Sequence, residues 1–297
     1  DEGVHAWKLT LSCGMDRTAW VNGAFVAERD AVVSIFDRGF LFADGIYEVV
    51  ALAAGHFVDL AGHLDRLARS CAAIRLAVPL ERPALEAMLA ELAARNGVTE
   101  GLVYLQVTRG AAERDFAFPA APQPTLIAYA RPMRLLDHPQ AAAGATAVLV
   151  PDQRWARRDI KSIALLPQVL AKQAARAAGT YEAIMVEDGH VTEGGSSTVY
   201  LVQHGAITTF PLGHDILPGI TRERVLGLAR DLGAPVHERP FTATELLAAD
   251  EVFITSATTF VLPITRIDGT DIADGVPGPM TRRLREAYVA WAVTSGR

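Results

Sequence analysis

Lysine is scarce in this 297-residue chain, and one lysine stands in a setting suited to covalent chemistry. Of the 28 Lys and Arg residues, only Lys8, Lys161 and Lys172 are lysines, a scarcity that an arginine-rich coding bias explains. Arginine stays charged, whereas a desolvated lysine can lose its proton and form a Schiff base. Apolar residues flank Lys161, and partial burial favours its neutral amine. The segment predicts a nucleophilic lysine, although a helix-start lysine paired with Asp159 would fit it too.

Three further segments have residue types that could bind a ligand. Glu193 follows a predicted strand and precedes Gly194-Gly195, where backbone can approach a ligand closely, so its carboxylate could meet a protonated ring nitrogen. Residues 217–221 (Leu-Pro-Gly-Ile-Thr) open a predicted helix, whose first N–H groups can bind phosphate. Thr221 could add a hydroxyl or simply cap this helix. Residues 255–259 place four hydroxyls around one alanine, which suits a phosphate cradle or an ordinary turn.

Two pairs of basic residues are candidates for binding anionic groups. His63 and Arg66 lie three residues apart on one face of a predicted helix, and Arg is a natural bidentate partner of phosphate. Arg109 and Arg114 flank a Gly-Ala-Ala loop and could hold a carboxylate, or could be charges on a surface loop. The histidines show no spacing typical of a metal site. The Gly-Gly-Ser-Ser run is not a nucleophile-elbow pattern, which argues against a serine hydrolase.

Helix and strand patterns alternate along the chain and must position these residues. The Asn22-Gly23 pair between two short strands predicts a hairpin, and apolar residues at intervals of three and four over 60–76 predict an amphipathic helix. Residues 161–178 are helix-prone, and residues 111–124 form an Ala- and Pro-rich loop. The fold class predicted is mixed α and β (α+β or α/β), in two lobes. The other predicted strands are 46–52, 56–58, 102–108, 125–129, 147–150, 182–186, 199–202 and 251–255, and the other predicted helices are 83–95, 218–232, 242–247 and 279–293.

The composition also limits the partners and the location. A net charge of −6 without a long basic run argues against nucleic acid as a partner, and no stretch reaches the roughly 20 apolar residues that span a bilayer. Two cysteines without metal or disulfide spacing suit a reducing cytoplasm.

The length and a change in composition predict two domains. Residues 1–14 are expected to be a leader or an appended segment, because Met15 reads as a natural start. The prediction places a small N-terminal α/β domain at 15–133, a linker at 134–143 and a larger C-terminal domain, which includes Lys161, at 144–297.

Five segments in order resemble the fold-type IV pyridoxal-phosphate enzymes, and most closely the D-amino-acid transaminases. The likeness runs over nearly all of residues 16–290. The resemblance implies a small N-terminal domain, a larger C-terminal domain, pyridoxal 5'-phosphate in the cleft between them, and a homodimer whose subunit contacts help to form the substrate pocket. The five segments are 36–50 (Phe-Asp-Arg-Gly through Glu-Val-Val), 63–67 (His-Leu-Asp-Arg-Leu), 157–162 (Arg-Arg-Asp-Ile-Lys-Ser), 192–194 (Thr-Glu-Gly) and 219–222 (Gly-Ile-Thr-Arg).

The resemblance also assigns roles to individual residues. Lys161 would be the catalytic residue, bound to the cofactor as a Schiff base and moving the proton at the substrate Cα. Glu193 would keep the pyridine nitrogen protonated, and Arg66 would hold the phosphate. The further cofactor-binding residues would be Ser196, Leu217, Ile220, Thr221, Ser256, Ala257 and Thr258, and the substrate-binding residues would be Tyr47, Val49, Arg109, Arg114 and Phe116.

Two positions depart from the family pattern. Phe116 stands where the family usually has a His that binds the substrate carboxylate, and a phenyl ring donates no hydrogen bond. Ala257 stands where a Thr is common. The function predicted is transamination between D-amino acids such as D-alanine and 2-oxo acids such as 2-oxoglutarate. The alternatives are a branched-chain L-amino-acid or (R)-amine transaminase, a 4-amino-4-deoxychorismate lyase on the same scaffold, and a non-catalytic phosphate- or cofactor-binding protein.

Overall fold

Two β-sheets organise residues 17–294, the part of the chain that this computed structural model describes. The first sheet is antiparallel, with strand order β2-β1-β6-β5-β3-β4. Its core lies against the two long helices of this half of the chain. The elements are β1 (Thr18–Val21), β2 (Ala24–Ala27), a 3₁₀ turn (Glu28–Asp30), α1 (Arg38–Phe42), β3 (Gly45–Ala53), β4 (His56–Phe57), α2 (Leu60–Ala73), α3 (Arg82–Arg95), β5 (Gly101–Thr108) and β6 (Thr125–Pro132).

The second sheet is mixed, with strand order β12-β11-β10-β13-β14-β7-β8-β9 and β15 paired to β14. The pairs β11–β12, β14–β7 and β7–β8 are parallel, and the other pairs are antiparallel. Its elements are β7 (Ala145–Pro151), α4 (Leu166–Ala177), β8 (Glu182–Glu187), β9 (His190–Gly194), β10 (Thr198–Gln203), β11 (Ala206–Thr209), α5 (Ile220–Asp231), β12 (Val236–Glu238), α6 (Ala243–Leu247), β13 (Glu251–Ser256), β14 (Phe260–Ile267), β15 (Thr270–Asp271) and α7 (Pro279–Thr294).

The local sequence signals account for most of these elements. Asn22 and Gly23 adopt φ values of 45° and 100°, as the tight turn between β1 and β2 requires, so the predicted hairpin is confirmed. Helix α6 begins with a capping box in which the Thr242 hydroxyl accepts from Glu245 N–H. Helix α2 is confirmed but ends at Ala73 instead of continuing to residue 76, because Arg75 takes a left-handed backbone conformation (φ 53°).

The helix predicted over 161–178 is wrong in its first turn. Lys161 and its neighbours extend along the free edge of β3, where Tyr47 N–H donates to Lys161 O (3.1 Å) and Ile163 N–H donates to Gly45 O (3.1 Å). Backbone groups used in this pairing cannot form a helix, and Pro167 fits only in a helix's first turn. Helix α4 therefore begins at Leu166, which leaves Lys161 on an extended segment between the two sheets.

The predicted mixed α and β class is confirmed. Strand β6 ends at Pro132 and β7 begins at Ala145, but the division into domains at 134–143 stays a prediction. The expected leader (1–14), together with Lys8 and Cys13, lies outside the described residues. Over the described part of the chain, no helix combines the length and apolar character needed to cross a membrane, and no three His, Cys, Asp or Glu side chains are grouped as a metal site would need.

Candidate active site

A cavity between the two sheets collects most of the residues singled out from the sequence. Strand β3 and helix α2 form one wall, and the segment around Lys161, the end of β9, the start of α5 and the end of β13 form the other. The predicted site residues that line it are Tyr47, Val49, Arg66, Lys161, Glu193, Ser196, Leu217, Ile220, Thr221, Ser256, Ala257 and Thr258.

Lys161 lies in the middle of this cavity, held by backbone contacts. Its side chain is half-buried, and its Nζ lies 4.3 Å from the centroid of the Tyr47 ring. Its backbone N–H donates to Ser70 Oγ (3.3 Å). Gly45 permits this approach, since a Cβ there would lie 2.9 Å from Ile163 Cδ1 and 2.7 Å from Val107 O. Pairing with β3 thus places an amine above an aromatic ring inside a cavity.

One end of the cavity presents donors suited to a phosphate group. Helix α5 begins at Ile220 after Gly219, and the N–H groups of its first turn, including that of Thr221, have no acceptor within the helix. Arg66 reaches this end, where its Nη1 donates to Pro218 O (2.9 Å). These donors come from both halves of the chain, so an anion bound here would contact both walls of the cavity.

The turn after β13 completes this end. The Ser256 hydroxyl lies 3.2 Å from Thr258 Oγ1 and 2.9 Å from Thr259 Oγ1, and it accepts from the backbone N–H groups of both threonines. Ala257 lies at the apex with no hydroxyl of its own. The segment is therefore an internally bonded turn that also lines the cavity, and its role as a phosphate cradle stays a prediction.

Glu48, which has no assigned role in the sequence motifs, orients Arg66. Its carboxylate accepts from Arg66 Nε (2.7 Å) and Nη2 (2.8 Å) and lies 2.8 Å from His63 Nδ1. Burial alone would raise the pKa of Glu48, but Arg66 and His63 outweigh it and hold the pKa far below the usual value. Burial lowers the pKa of His63, and this effect is larger than the opposite effect of Glu48. A glutamate amid the apolar residues of β3 needs buried partners, and this was the signal in the sequence.

The other end of the cavity carries Glu193. This side chain is buried at the end of β9, and its Oε2 accepts from Leu217 N–H (3.1 Å) and from Arg154. No hydrogen bond among residues 17–294 uses its Oε1. Burial raises the pKa of Glu193 more than Arg154, the Leu217 N–H and Lys161 lower it. The chain beside it is closely packed, because a Cβ on Gly194 would lie 2.1 Å from Ser197 Oγ.

Arg154 and Gln168 also line the cavity and were missed in the sequence. Arg154 bridges Glu193 and Asp152, with its Nη2 2.7 Å from Asp152 Oδ2. The Oε1 atom of Gln168, in the first turn of α4, is buried and has no hydrogen-bond partner among the residues that the structure describes. No local motif marks either residue. The cavity can hold a ligand with an anionic group at one end and a basic ring nitrogen at the other, and the Lys161 amine lies between these two ends.

Three predicted site residues lie outside the cavity lining. The guanidinium of Arg109 is buried and donates to Asp44 (2.8 and 3.0 Å) and to the carbonyls of Ile74 (2.8 Å) and Arg75 (2.9 Å). Arg114 and Phe116 are exposed on the loop at 111–124. They line no part of the cavity described within this chain.

Asp44 connects that loop to the first sheet. It also accepts from Arg38 (2.8 Å), whose guanidinium donates to the backbone carbonyls of residues 115–117. Arg109 therefore helps to shape the loop, and Arg114 and Phe116 project from it.

Comparisons with known proteins agree on one family. The family model for class IV amino-transferases matches residues 45–267. The D-alanine aminotransferase of Bacillus licheniformis is 42% identical over 266 residues, which cover 90% of this chain and 94% of that protein.

Solved structures with this fold include two branched-chain amino acid aminotransferases. The Escherichia coli enzyme has a TM-score of 0.88 at 25% identity and covers 93% of this chain and 94% of its own. The enzyme of the thermophilic archaeon Thermoproteus uzoniensis, solved with norvaline, has a TM-score of 0.83 at 30% identity and covers 93% of this chain and 95% of its own.

Proposed function

The chain belongs to the class IV aminotransferases, and we propose that it transfers amino groups between D-amino acids, such as D-alanine, and 2-oxo acids, such as 2-oxoglutarate. One observation carries this proposal. The cavity holds a lysine between an anion-binding end and a buried carboxylate, in a chain 42% identical to a D-alanine aminotransferase over nine-tenths of its length.

The cavity fits pyridoxal 5'-phosphate, the cofactor of this family. Its phosphate matches Arg66 and the start of α5, where Arg66 keeps two guanidinium hydrogens beyond those that Glu48 and Pro218 accept. Its ring nitrogen matches the unpaired Oε1 of Glu193, and its aldehyde matches the Lys161 amine. The orphaned Oε1 of Gln168 is a further polar atom that a ligand could meet. When bound, the cofactor supplies a carbonyl that condenses with amines and a ring that accepts electron density from the substrate Cα.

The chain's own residues would then hold the reactants and move one proton. Lys161 Nζ, positioned by β3 and the Tyr47 ring, is the base that can take the proton from the substrate Cα and return it to another carbon. Glu193 would hold a proton on the ring nitrogen. Arg66 and the α5 N-terminus would fix the opposite end, so that the ring cannot tilt away from Lys161.

The D-amino-acid assignment is supported by the greater likeness to D-alanine aminotransferases, 42% against 25–30% for the branched-chain enzymes. Phe116 favours a second candidate, a branched-chain L-amino-acid transaminase. A phenyl ring at the loop position where the resemblance implies a carboxylate-binding His would suit an apolar substrate side chain better than a carboxylate.

We propose that the enzyme is a homodimer whose loop at 111–124 completes the partner subunit's cavity. Arg114 and Phe116 are exposed and lie outside their own cavity, and Phe116 is 79% exposed. Large exposed apolar side chains that are grouped in one patch are typical of an interface. Others of this kind are Val32, Ile35, Phe36, Phe40, Leu166, Val169 and Leu170.

A cytoplasmic location also remains a proposal. It is supported by the low cysteine content of the sequence, two residues without disulfide spacing, of which Cys71 is a buried free thiol within residues 17–294.

Substrate assays test the assignment directly. Purified protein with pyridoxal phosphate, D-alanine and 2-oxoglutarate should form pyruvate continuously, measured by a coupled lactate dehydrogenase assay, and L-alanine should form none. Turnover with L-leucine and with no D-amino acid would replace the assignment by the branched-chain one. Pyruvate formed from aminodeoxychorismate without any 2-oxo acid would favour the lyase.

The two lysines of the described chain provide a matched pair. Lys161→Arg should abolish turnover, because a guanidinium stays protonated and forms no Schiff base. Lys172→Arg should remain active, because Lys172 lies outside the cavity lining and pairs with the buried Glu182 (2.7 Å), a partner that arginine can also serve. Full activity of Lys161→Arg would show that the catalytic lysine is misassigned.

Mixing two inactive variants tests the role of the loop. Lys161→Ala and Arg114→Ala subunits, unfolded and refolded together, should regain about a quarter of the wild-type activity, since each hybrid dimer keeps one intact site. Each variant refolded alone is the control. If mixing restores nothing while hybrid dimers form, the loop serves its own subunit.

A further inference from the structure

Five charged side chains of alternating sign run from the protein surface to Glu193. Glu187 accepts from Arg158 Nη1 and Nη2 (2.7 Å each), and Arg158 Nη1 lies 3.3 Å from Asp152 Oδ2. Asp152 accepts from Arg154, which donates to Glu193. Glu187 is 42% exposed, whereas Asp152 is fully buried and Arg154 is 6% exposed. The chain of charges thus begins in solvent and ends at the candidate ring-nitrogen site.

The contacts around Asp152 hold Arg154 in one orientation. Asp152 Oδ1 accepts from both the Arg154 backbone N–H and its Nε (3.0 Å each), and Oδ2 accepts from Nη2 (2.7 Å). The Thr192 hydroxyl donates to Asp152 Oδ2 (2.6 Å), which fixes that carboxylate in turn. With Nε and Nη2 bound to Asp152, the Nη1 group of Arg154 is left to face Glu193.

Arg154 approaches only one oxygen of Glu193. Oε2 accepts from Arg154 Nη1 and from the Leu217 N–H, whereas Oε1 stays available to a ligand. A ring nitrogen at Oε1 would share one proton with the carboxylate. With the proton on the nitrogen, Arg154 faces a carboxylate anion. With the proton on Glu193, it faces a neutral acid and the attraction is lost. The position of Arg154 therefore favours the proton on the ring nitrogen.

Burial makes this contribution necessary. A buried carboxylate is disfavoured in its charged form, and burial raises the pKa of Glu193 in this structure. Burial therefore disfavours the ionised carboxylate that would hold the proton on the ring nitrogen, and Arg154, which lowers the pKa of Glu193, opposes this effect.

We propose that Arg154 is a positioning residue that keeps Glu193 ionised, so that the ring nitrogen of the bound cofactor retains its proton. The proposal rests on the proposed function, since it requires pyridoxal phosphate in this cavity. Arg154 acts through Glu193 and touches no reacting atom. Its role is separate from that of Arg66, which serves the phosphate end.

The protonation of the ring nitrogen can be measured directly in the holoenzyme. Protein loaded with ¹⁵N-labelled pyridoxal phosphate gives a ¹⁵N chemical shift that differs between a protonated and an unprotonated pyridine nitrogen. The wild-type enzyme should show the protonated value, and Arg154→Gln should move the signal toward the unprotonated value. Its kcat should fall about tenfold or more, with little change in the KM for D-alanine.

Two further variants in the same segment complete the test. Arg157→Gln, the control, changes a partly exposed arginine that pairs with Asp159 and lies outside the cavity lining, so it should match the wild type in ¹⁵N shift and kcat. Asp152→Asn removes the Oδ2 acceptor that holds Arg154 Nη2, so it should move the ¹⁵N signal in the same direction as Arg154→Gln.

The outcomes separate this proposal from the assignment of function. A protonated signal in Arg154→Gln would overturn the role of Arg154 and leave the enzyme assignment standing. A wild-type protein that binds no cofactor would overturn the assignment itself. If Arg154→Gln does not fold, Arg154→Lys decides, because a retained charge should keep the nitrogen protonated and a lost proton would contradict the proposal.

Discussion

Glu48 and Glu193 are both buried, both paired with an arginine and both close to the cavity, yet their pKa values shift in opposite directions. Glu48 uses both oxygens, one for Arg66 Nε and the other for Arg66 Nη2 and His63. Glu193 uses only Oε2, and its arginine is shared with Asp152. The contacts of Glu48 are complete within the protein, whereas those of Glu193 leave one oxygen for a ligand.

This difference separates a structural carboxylate from a functional one. A carboxylate whose partners are complete stabilises the fold when ionised. One that is buried and only partly satisfied costs stability in the empty protein and gains its partner on ligand binding. The two glutamates should therefore respond differently to the same substitution.

The largest effect should come from Glu48→Gln. This change leaves Arg66 buried without its counter-charge, and breaking a buried pair in this way costs about 3–5 kcal/mol of unfolding free energy. Denaturant unfolding of the cofactor-free protein measures it. Glu86→Gln, at an exposed pair with Arg82 on α3, is the matched control and should change little. A loss no larger than that of the control would show that the Glu48–Arg66 pair is not structural.

Glu193→Gln should show the reverse pattern. The amide removes a buried charge that is only partly satisfied, so the unfolding free energy of the cofactor-free protein should stay equal or rise. The kcat for D-alanine should fall about 10²-fold, because a preorganised charge at the ring nitrogen is lost. If Glu193→Gln instead strongly destabilised the protein and kept the wild-type kcat, Glu193 would be a structural carboxylate like Glu48.

Lowering the pH should reduce the stabilisation of the fold by Glu48 and increase that by Glu193. Glu48 has a folded pKa below its unfolded value near 4.5, so its stabilisation is complete above that pH and is lost as the pH falls. Glu193 has a raised folded pKa, so its protonated form stabilises the fold below about pH 4.5, and this contribution disappears as the pH rises through the folded pKa. Unfolding free energies measured from about pH 3 to about pH 8 test both pH dependences.

Glu48→Gln and Glu193→Gln, each compared with the wild type over this pH range, isolate the contribution of each glutamate. The deficit of Glu48→Gln relative to the wild type should shrink toward low pH, and the advantage of Glu193→Gln should grow toward neutral pH. Parallel curves for both variants would contradict the assigned pKa directions.

The sequence predicted those parts of the molecule that depend on neighbouring residues. The Asn22-Gly23 hairpin, the amphipathic face of α2 and the helix predicted over 242–247 rest on local signals, and the structure confirms all three. The ordered motifs also located Lys161, Glu193 and Arg66, which the fold brings to one cavity. Local pattern and motif order were sufficient for these features.

The parts that the sequence did not predict depend on contacts between distant residues. Helix α4 begins late because Lys161 pairs with β3, more than 100 residues earlier in the chain. Arg109 points to Asp44 and not to the cavity, and Arg154 reaches a glutamate 39 residues away. Lys172 pairs with the buried Glu182. No periodicity within one element indicates such pairings.

One measurement tests the central claim most directly, that the cavity around Lys161 performs transamination of D-amino acids. Holoenzyme free of any 2-oxo acid is mixed with excess D-alanine, and pyruvate is counted against active sites. A transaminase should release one pyruvate per site and stop until 2-oxoglutarate is added, and L-alanine should release none. Continuous release of pyruvate without an acceptor, or an equal burst from L-alanine, would contradict this account.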